Sequence, residues 1–303
     1  ISSGSNNNNN NNEVPFSSLA CSDKAGRLAA GKGYCFEAQL VTRHDNTTID
    51  MTVFVPHPDR LAGAANLPNG SVGYAPLILH GHGYGAKKYG DFSVPEFYVD
   101  VQAAEKAWDN GYFVITFSER GFGKSSGAIA MMDPQKEGQD INEVVDWAIT
   151  HLRDGLYDWT FNAATAAHTN PTMIPTDLSS TVSLLMDDNQ ARLPNSGVLD
   201  PALGSVGYSY GGAYQYTGSH ADFVTVGSRT PRTRFDALVP EGTWFDLRYS
   251  LHANDVPKTA WLTILTAFTL QGSNCGNGAD ENCQPPPAVI VQARTEADAL
   301  GRT

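Results

Sequence analysis

The stretch GSVGYSYGG at residues 204–212 constrains the fold of this chain more than any other part of the sequence. Gly207, Ser209 and Gly211 stand at alternate positions, which is the spacing of a sharp strand-to-helix turn with a serine at its apex. In so tight a turn, a side chain at either glycine would collide with neighbouring backbone. The residues before the serine suit a buried strand end, and those after it can continue as a helix. Taken in isolation, the pattern fits an ordinary glycine-rich turn as well as a catalytic one.

Composition narrows the class of protein. The chain has 303 residues and 41% hydrophobic content, enough for one large domain core. Its net charge of −12 and its lack of a basic cluster argue against nucleic acid as a partner. No apolar run approaches the roughly 20 residues that span a bilayer. No signal peptide is visible, but the chain begins at Ile1, so we expect processing or trimming, and residues 1–12 read as a disordered low-complexity leader or linker.

The four cysteines fall into two local pairs, each enclosing a glycine-rich loop. An even number of cysteines in loops suits disulfide bonds and an exported protein. We therefore expect the disulfides Cys21–Cys35 and Cys275–Cys283 and a secreted or periplasmic location. A zinc site is the alternative, but CxxC spacing and neighbouring histidines are absent; buried free thiols in a cytosolic enzyme are a third possibility. The sequence predicts no metal and no cofactor.

Strand-like and helix-like segments alternate from residue 34 onwards. The predicted strands are Tyr34–Val41, Thr48–Val55, Pro76–His80, Tyr112–Phe117, Leu203–Tyr208 and Phe235–Pro240. The predicted helices are Pro95–Asn110, Gln135–Leu152, the segment after Ser209, Thr259–Leu270 and Pro287–Leu300. Thr48–Val55 alternates apolar and polar residues, which predicts a half-buried antiparallel strand. Pro76–His80 is continuously apolar, which is typical of a central parallel strand.

This order predicts an α/β protein with a mostly parallel central sheet and helices on both faces. We assign residues 13–256 to its core. Residues 153–201, rich in Asn, Thr, Asp and Pro, interrupt the alternation and read as an insertion within that core. Residues 257–303 read as the start of a helical cap inserted after the strand near Phe235, and we expect the chain to be incomplete beyond it.

Three features follow predicted parallel strands directly: the loop His80–Gly85, the loop Arg120–Gly127, and Ser209. In open α/β sheets, sites lie at the carboxyl ends of the strands. The convergence of three features on one sheet edge favours Ser209 as a nucleophile over the plain turn. Neither glycine loop matches a Walker A or a dinucleotide-binding pattern.

Four stretches in this order carry a resemblance to a known fold: HGHGYG at 80–85, RGFGKSSG at 120–127, GYSYGG at 207–212 and PEGTWFDL at 240–247. The chain resembles the α/β hydrolases over roughly residues 34–251. More narrowly, it is similar to the Xaa-Pro dipeptidyl-peptidases (S15) and the cocaine-esterase-like serine hydrolases. The resemblance implies a serine hydrolase that cleaves a small ester or a short peptide through an acyl-enzyme on Ser209.

Such chemistry needs hydrogen-bond donors for the oxyanion. The backbone N–H of Tyr210, which follows the nucleophile, is the first expected donor. The backbone N–H of His82 or Gly83 is the generic second donor, and we favour His82. The resemblance also allows the hydroxyl of Tyr84. The side chains of the two histidines in this loop are otherwise expected to hold it in place.

Residues after the last predicted strand are candidates for substrate binding. Glu241 could meet a substrate amine or cap the next helix, and Trp244 and Phe245 could line an apolar pocket or pack in the core. Glu119 and Arg120 are predicted to form an internal ion pair that anchors the second glycine loop, and Asp140 in the helix Gln135–Leu152 is expected to tie to the same loop.

The general base is the difficulty. In this fold the acid and then the histidine follow the serine in the chain, and only His220 and His252 follow Ser209. His220 lies about three turns into the helix after the serine and should point away from it. Asp246 with His252 would require a rearranged triad. We therefore expect the acid and base to come from a second chain or a missing C-terminal segment; a catalytically inert hydrolase-like binding protein is the alternative.

Overall fold

The computed structural model describes about two thirds of the chain. The described residues are 17–20, 33–56, 60–61, 72–90, 92, 95, 98–153, 157–158, 161–162, 167–168, 181–186, 199–226, 233–256, 258–272, 287, 290–292 and 295. The predicted leader, three of the four cysteines (Cys21, Cys275, Cys283) and most of the predicted helix Pro287–Leu300 lie outside them.

Twelve strands are present among these residues. In chain order they are β1 (Ser17–Ala20), β2 (Gly33–Val41), β3 (Thr48–Pro56), β4 (Val72–Ala75), β5 (Leu77–Gly81), β6 (Phe113–Phe117), β7 (Tyr157–Asp158), β8 (Phe161–Asn162), β9 (Ala167–His168), β10 (Thr181–Leu184), β11 (Leu203–Tyr208) and β12 (Ala237–Glu241). Seven form the central sheet, in the order β1-β2-β3-β6-β5-β11-β12. Strands β6, β5, β11 and β12 pair in parallel with their neighbours in that group. Strands β1, β2 and β3 pair antiparallel with one another, and β3 pairs antiparallel with β6. The predicted α/β class with a mostly parallel sheet is confirmed.

The described helices are α1 (Val99–Asp109), α2 (Glu137–Ala148) with a π-helical turn (Ile149–Arg153), α3 (Tyr210–Val226), α4 (Leu247–Leu251) with a 3-10 turn (Ala253–Asp255), and α5 (Thr259–Gly272). Four of the described helices, α1, α2, α3 and α5, occupy predicted places with shifted ends, whereas α4 was not predicted. None of the helices in the described part is long and apolar enough to cross a membrane.

The helices cover both faces of the sheet. On β6, Phe113 and Ile115 belong to the large core cluster that includes apolar residues of α2 and α3. Val114, on the opposite face, belongs to a second cluster with Val101 and Trp108 of α1. This two-sided cover is why β5 and β6 read as continuous apolar runs.

Strand β3 differs from its prediction, because every residue from position 49 to 56 is buried. The polar positions lie under other polar groups rather than in solvent. Asp50 accepts a hydrogen bond from Lys88 Nζ at 2.9 Å, and the Thr52 hydroxyl donates to Glu37 at 2.9 Å. The prediction of a half-buried strand was therefore wrong. The alternation in the sequence correctly separates a polar face from an apolar face, but other residues cover the polar face as well.

Part of the segment predicted as an insertion contributes to the core. Strand β10 pairs in parallel with β4 in a small three-stranded sheet. Val182 and Leu184 on β10 are fully buried in the large core cluster.

Cys35 lies buried on β2 and is disulfide-bonded. Since the other three cysteines lie outside the described residues, the pairs Cys21–Cys35 and Cys275–Cys283 stay predictions. The secreted or periplasmic location stays a prediction as well.

Candidate active site

Ser209 sits at the apex of the turn between β11 and α3. Its φ is +58°, in the left-handed region that residues with a side chain seldom adopt. The turn is held from the neighbouring strand, because the backbone N–H of Ser209 donates to the carbonyl of Glu241 at 2.8 Å. A strained residue fixed in this way is characteristic of functional sites.

The glycines around Ser209 are required by close backbone approach, as the sequence predicted. A Cβ placed on Gly207 would lie 2.2 Å from the carbonyl oxygen of Gly211. A Cβ on Gly211 would lie 2.2 Å from the carbonyl oxygen of Gly81 and 3.1 Å from that of His82. The loop after β5 therefore runs directly against the first turn of α3, beside Ser209.

His82 holds this loop through its side chain. The imidazole is fully buried; its Nδ1–H donates to the carbonyl of Gly83 at 2.8 Å, and its Nε2 accepts the backbone N–H of Glu119 at 3.0 Å. A ring that donates at one nitrogen and accepts at the other is neutral, and burial lowers the pKa of His82 to about 4. The ring thus joins the two glycine-rich loops and does not face solvent as a general base would.

The other two aromatic residues of the loop also have partners. His80 Nε2 lies 3.1 Å from Asp100 Oδ2. The Tyr84 hydroxyl lies 2.6 Å from Thr269 Oγ1 on α5, and burial raises the pKa of Tyr84 to about 12. No local signal in the sequence marks Thr269 as part of the site, since it stands 185 positions from Tyr84.

The second glycine loop is anchored by Arg120, which pairs with Asp140 of α2 as expected and not with Glu119. The guanidinium donates to both carboxylate oxygens of Asp140, at 2.6 and 2.7 Å, and to Asp45 at 2.8 Å. The carboxyl of Glu119 is fully buried, and neither of its oxygens has a hydrogen-bond partner in the described structure. The predicted Glu119–Arg120 ion pair was wrong, since Arg120 turns to α2 and Glu119 lies in the core.

Burial raises the pKa of Glu119 well above its usual range, and the charges of Glu137 and Asp140 raise it further against the opposing charge of Arg120. A carboxyl in this environment favours its protonated, neutral form.

One group of side chains near this loop has the spacing of metal ligands. Atoms of His44, Asp45 and Asp140 lie within 4.8 Å of one another. The Arg120 guanidinium contacts all three, including His44 Nε2 at 3.0 Å. The cation at this position is therefore an arginine, and the group is an ion-pair network between the β2–β3 turn and α2.

The predicted substrate-binding residues lie at the end of β12 and just after it, and they differ in exposure. Glu241 is half-buried and is tied to the turn through its carbonyl. The Trp244 ring lies 6.2 Å from that of Tyr210 and packs against the large core cluster. Phe245 is fully exposed. Asp246 caps α4 by accepting the backbone N–H of Tyr249 at 2.9 Å.

No histidine is hydrogen-bonded to Ser209 in the described part of the chain. His220 is exposed on α3, and His252 is half-buried just after α4. Asp246, the acid of the rearranged-triad hypothesis, is engaged as a helix cap. The described residues thus bring together the turn and the adjacent loop, but they place no acid–base pair in hydrogen-bond contact with Ser209.

A family match covers most of the region just described. Residues 57–259 match the X-Pro dipeptidyl-peptidase (S15) family. This chain belongs to the S15 family. Comparison with curated proteins gives no match.

Solved structures similar to this S15 chain are distant in sequence. A CocE/NonD family hydrolase from Staphylococcus aureus is 15% identical, with a TM-score of 0.45 over 87% of this chain and 36% of its own. Acetyl xylan esterase 1 from Thermoanaerobacterium sp. JW/SL YS485 is 13% identical, with a TM-score of 0.40 over 87% of this chain and 62% of its own. The α/β hydrolase GrgF from Penicillium sp. sh18 is 13% identical, with a TM-score of 0.38 over 89% of this chain and 68% of its own. The chain thus spans 36% and 62% of the first two.

Proposed function

We propose that this S15 chain is a serine hydrolase that cleaves ester or amide bonds through an acyl-enzyme on Ser209. The observation that carries the proposal is the backbone of Ser209, with a φ of +58° at the junction of β11 and α3. That conformation presents a serine hydroxyl above the carboxyl edge of the sheet, where substrates bind in α/β folds.

The oxyanion of the tetrahedral intermediate would be stabilised by backbone groups. Tyr210 begins α3, so its N–H has no acceptor within the helix. The backbone N–H of His82 or Gly83 comes from the loop that lies against Gly211. Two preorganised donors of this kind typically contribute a rate factor of about 100 to 1000 each.

The general base and its acid partner come, in this proposal, from polypeptide other than the described residues, either a further segment or a second chain. The edge strand β12 supports this. Val239 on β12 is 57% exposed, although apolar parallel strands are ordinarily covered on both sides. Further strands could join the sheet there and bring a histidine over Ser209.

The alternative within enzymes is an Xaa-Pro dipeptidyl-peptidase, which the family description favours. That activity requires recognition of a free substrate amine. The half-buried carboxylate of Glu241 is the candidate for it, because its backbone already contacts Ser209. The alternative outside enzymes is an inert binding protein that keeps Ser209 for the turn alone.

Covalent labelling tests the proposal. The natural gene product is treated with a fluorophosphonate probe, and the adduct is mapped by mass spectrometry, with Ser209→Ala as the unlabelled control. We expect one adduct, on Ser209. Folded protein that remains unlabelled would refute the proposal and leave the inert alternative.

Two further measurements divide the alternatives. A p-nitrophenyl ester compared with a glycyl-prolyl anilide separates an esterase from a dipeptidyl-peptidase. Asp246→Ala should leave the labelling rate unchanged, because this side chain caps α4. Loss of labelling in that variant would instead support the rearranged triad with His252.

A further inference from the structure

The hydroxyl of Tyr84 has a defined donor direction. Thr269 Oγ1 lies 2.6 Å from it and also donates its single proton to the carbonyl of Leu265 at 2.9 Å. Tyr84 must therefore be the donor in its bond to Thr269. With a pKa raised to about 12 by burial, Tyr84 keeps this proton at neutral pH.

A second contact joins the same two elements one residue further along. Gly85 has a φ of +83°, and a Cβ placed on it would lie 2.5 Å from Phe268 Cβ and 2.9 Å from the Phe268 carbonyl oxygen. The loop backbone therefore rests directly on the backbone of α5. Consecutive residues of the loop, 84 and 85, meet consecutive residues of the helix, 268 and 269.

The ring of Tyr84 extends this connection to the turn that carries Ser209. It packs edge-on against Phe122 at 5.2 Å and against Tyr210 at 5.2 Å. Tyr210 supplies the first proposed oxyanion donor. A shift of the Tyr84 ring would therefore reach both sides of the oxyanion hole.

We propose that Thr269 is a positioning residue of the active site, which fixes the oxyanion loop by accepting the hydrogen bond of Tyr84. In this role the Tyr84 hydroxyl is a tether to α5 and not a direct oxyanion donor. The inference rests on the proposed function in so far as it concerns catalysis. The tether itself is a property of the fold and can be measured without activity.

The test uses variants that keep the shape of the contact. Thr269→Val removes the acceptor and keeps the volume, Thr269→Ser restores the hydroxyl, and Tyr84→Phe removes the donor. Hydrogen exchange read by mass spectrometry reports the opening of residues 82–90. Loss of one hydrogen bond of about 1 kcal/mol should speed exchange roughly fivefold in Thr269→Val and Tyr84→Phe. Thr269→Ser should exchange like the wild type.

Kinetics on the active protein then separate positioning from direct catalysis. Thr269→Val should lower kcat by a factor similar to that of Tyr84→Phe, with KM little changed, and the double variant should lose no more than either single one. Equal exchange in the Val and Ser variants would overturn the tether. A much larger loss of kcat in Tyr84→Phe than in Thr269→Val would overturn the positioning role of Thr269 and would make the Tyr84 hydroxyl a direct oxyanion donor. Absence of Ser209 labelling in the wild type would refute the proposed function and leave the exchange test standing.

Discussion

Replacing Glu119 with glutamine should make this protein more stable at neutral pH. The carboxyl is fully buried, and neither oxygen has a hydrogen-bond partner in the described structure. Burial raises its pKa well above the usual value, with Glu137 and Asp140 adding to the effect against Arg120. The folded protein therefore binds a proton here that the unfolded chain releases. Glutamine keeps the shape and the neutral state without needing that proton.

The magnitude follows from linkage between protonation and folding. A glutamate in the unfolded chain titrates near 4.5. Below that pH the carboxyl is protonated in both states, so the variant and the wild type should have similar stability. Above it, and as long as the folded carboxyl stays protonated, each pH unit lowers the wild-type folding constant about tenfold relative to the variant. The gap stops growing once the pH passes the folded pKa.

Urea unfolding at pH 5, 6, 7 and 8 measures this gap. The free energy of unfolding of the wild type is subtracted from that of Glu119→Gln at each pH. Because we expect residue 119 to be neutral in both folded proteins, the neighbouring carboxyls should titrate alike in both, and their contribution cancels in this difference. Glu105→Gln, on the half-exposed face of α1, is the matched control for the chemical change from glutamate to glutamine. A Glu119→Gln gap that is constant with pH would show that the folded carboxyl is ionised and would refute the reasoning.

Two further predictions concern backbone approach and buried charge. Gly211→Ala should destabilise the fold by about 1–3 kcal/mol in urea unfolding, because its Cβ would lie 2.2 Å from a β5 carbonyl oxygen. Gly83→Ala, whose Cβ meets nothing closer than 4.0 Å, should change stability little, and equal losses in both would contradict the explanation. Arg120→Met should cost about 3–5 kcal/mol, because it removes the guanidinium that pairs with the buried carboxylate of Asp140. The Arg43 side chain is 72% exposed, so Arg43→Met should lower the free energy of unfolding by at most about 1 kcal/mol. A loss of stability as small as this in Arg120→Met would mean that Asp140 becomes protonated in the variant and does not need the arginine.

The sequence predicted those features of the site that depend on local chemistry. The turn at Ser209 was found because close backbone approach requires glycine at positions 207 and 211, and these positions lie within two residues of the serine. The strands β5 and β6 were found because cover on both faces leaves continuous apolar runs.

Features that depend on distant partners were missed or misread. The burial of β3 is set by Lys88 and by the neighbouring strands, none of which its own alternation reports. Glu119 and Arg120 are adjacent, but consecutive side chains leave the backbone in different directions, so adjacency did not make them a pair. The contact between Tyr84 and Thr269 spans 185 positions, and a threonine within an apolar helix gives no sign of it.

The backbone conformation of Ser209 lowers the stability of the turn, while its side chain supplies the hydroxyl that we propose as the nucleophile. At a φ of +58°, a residue with a Cβ costs roughly 1–2 kcal/mol that glycine would not. The least costly residue for this turn is thus glycine, which would stand between Gly207 and Gly211 at alternate positions but would carry no hydroxyl. This protein holds a less stable turn in exchange for one oxygen atom, and the surrounding close-packed glycines keep that turn from relaxing.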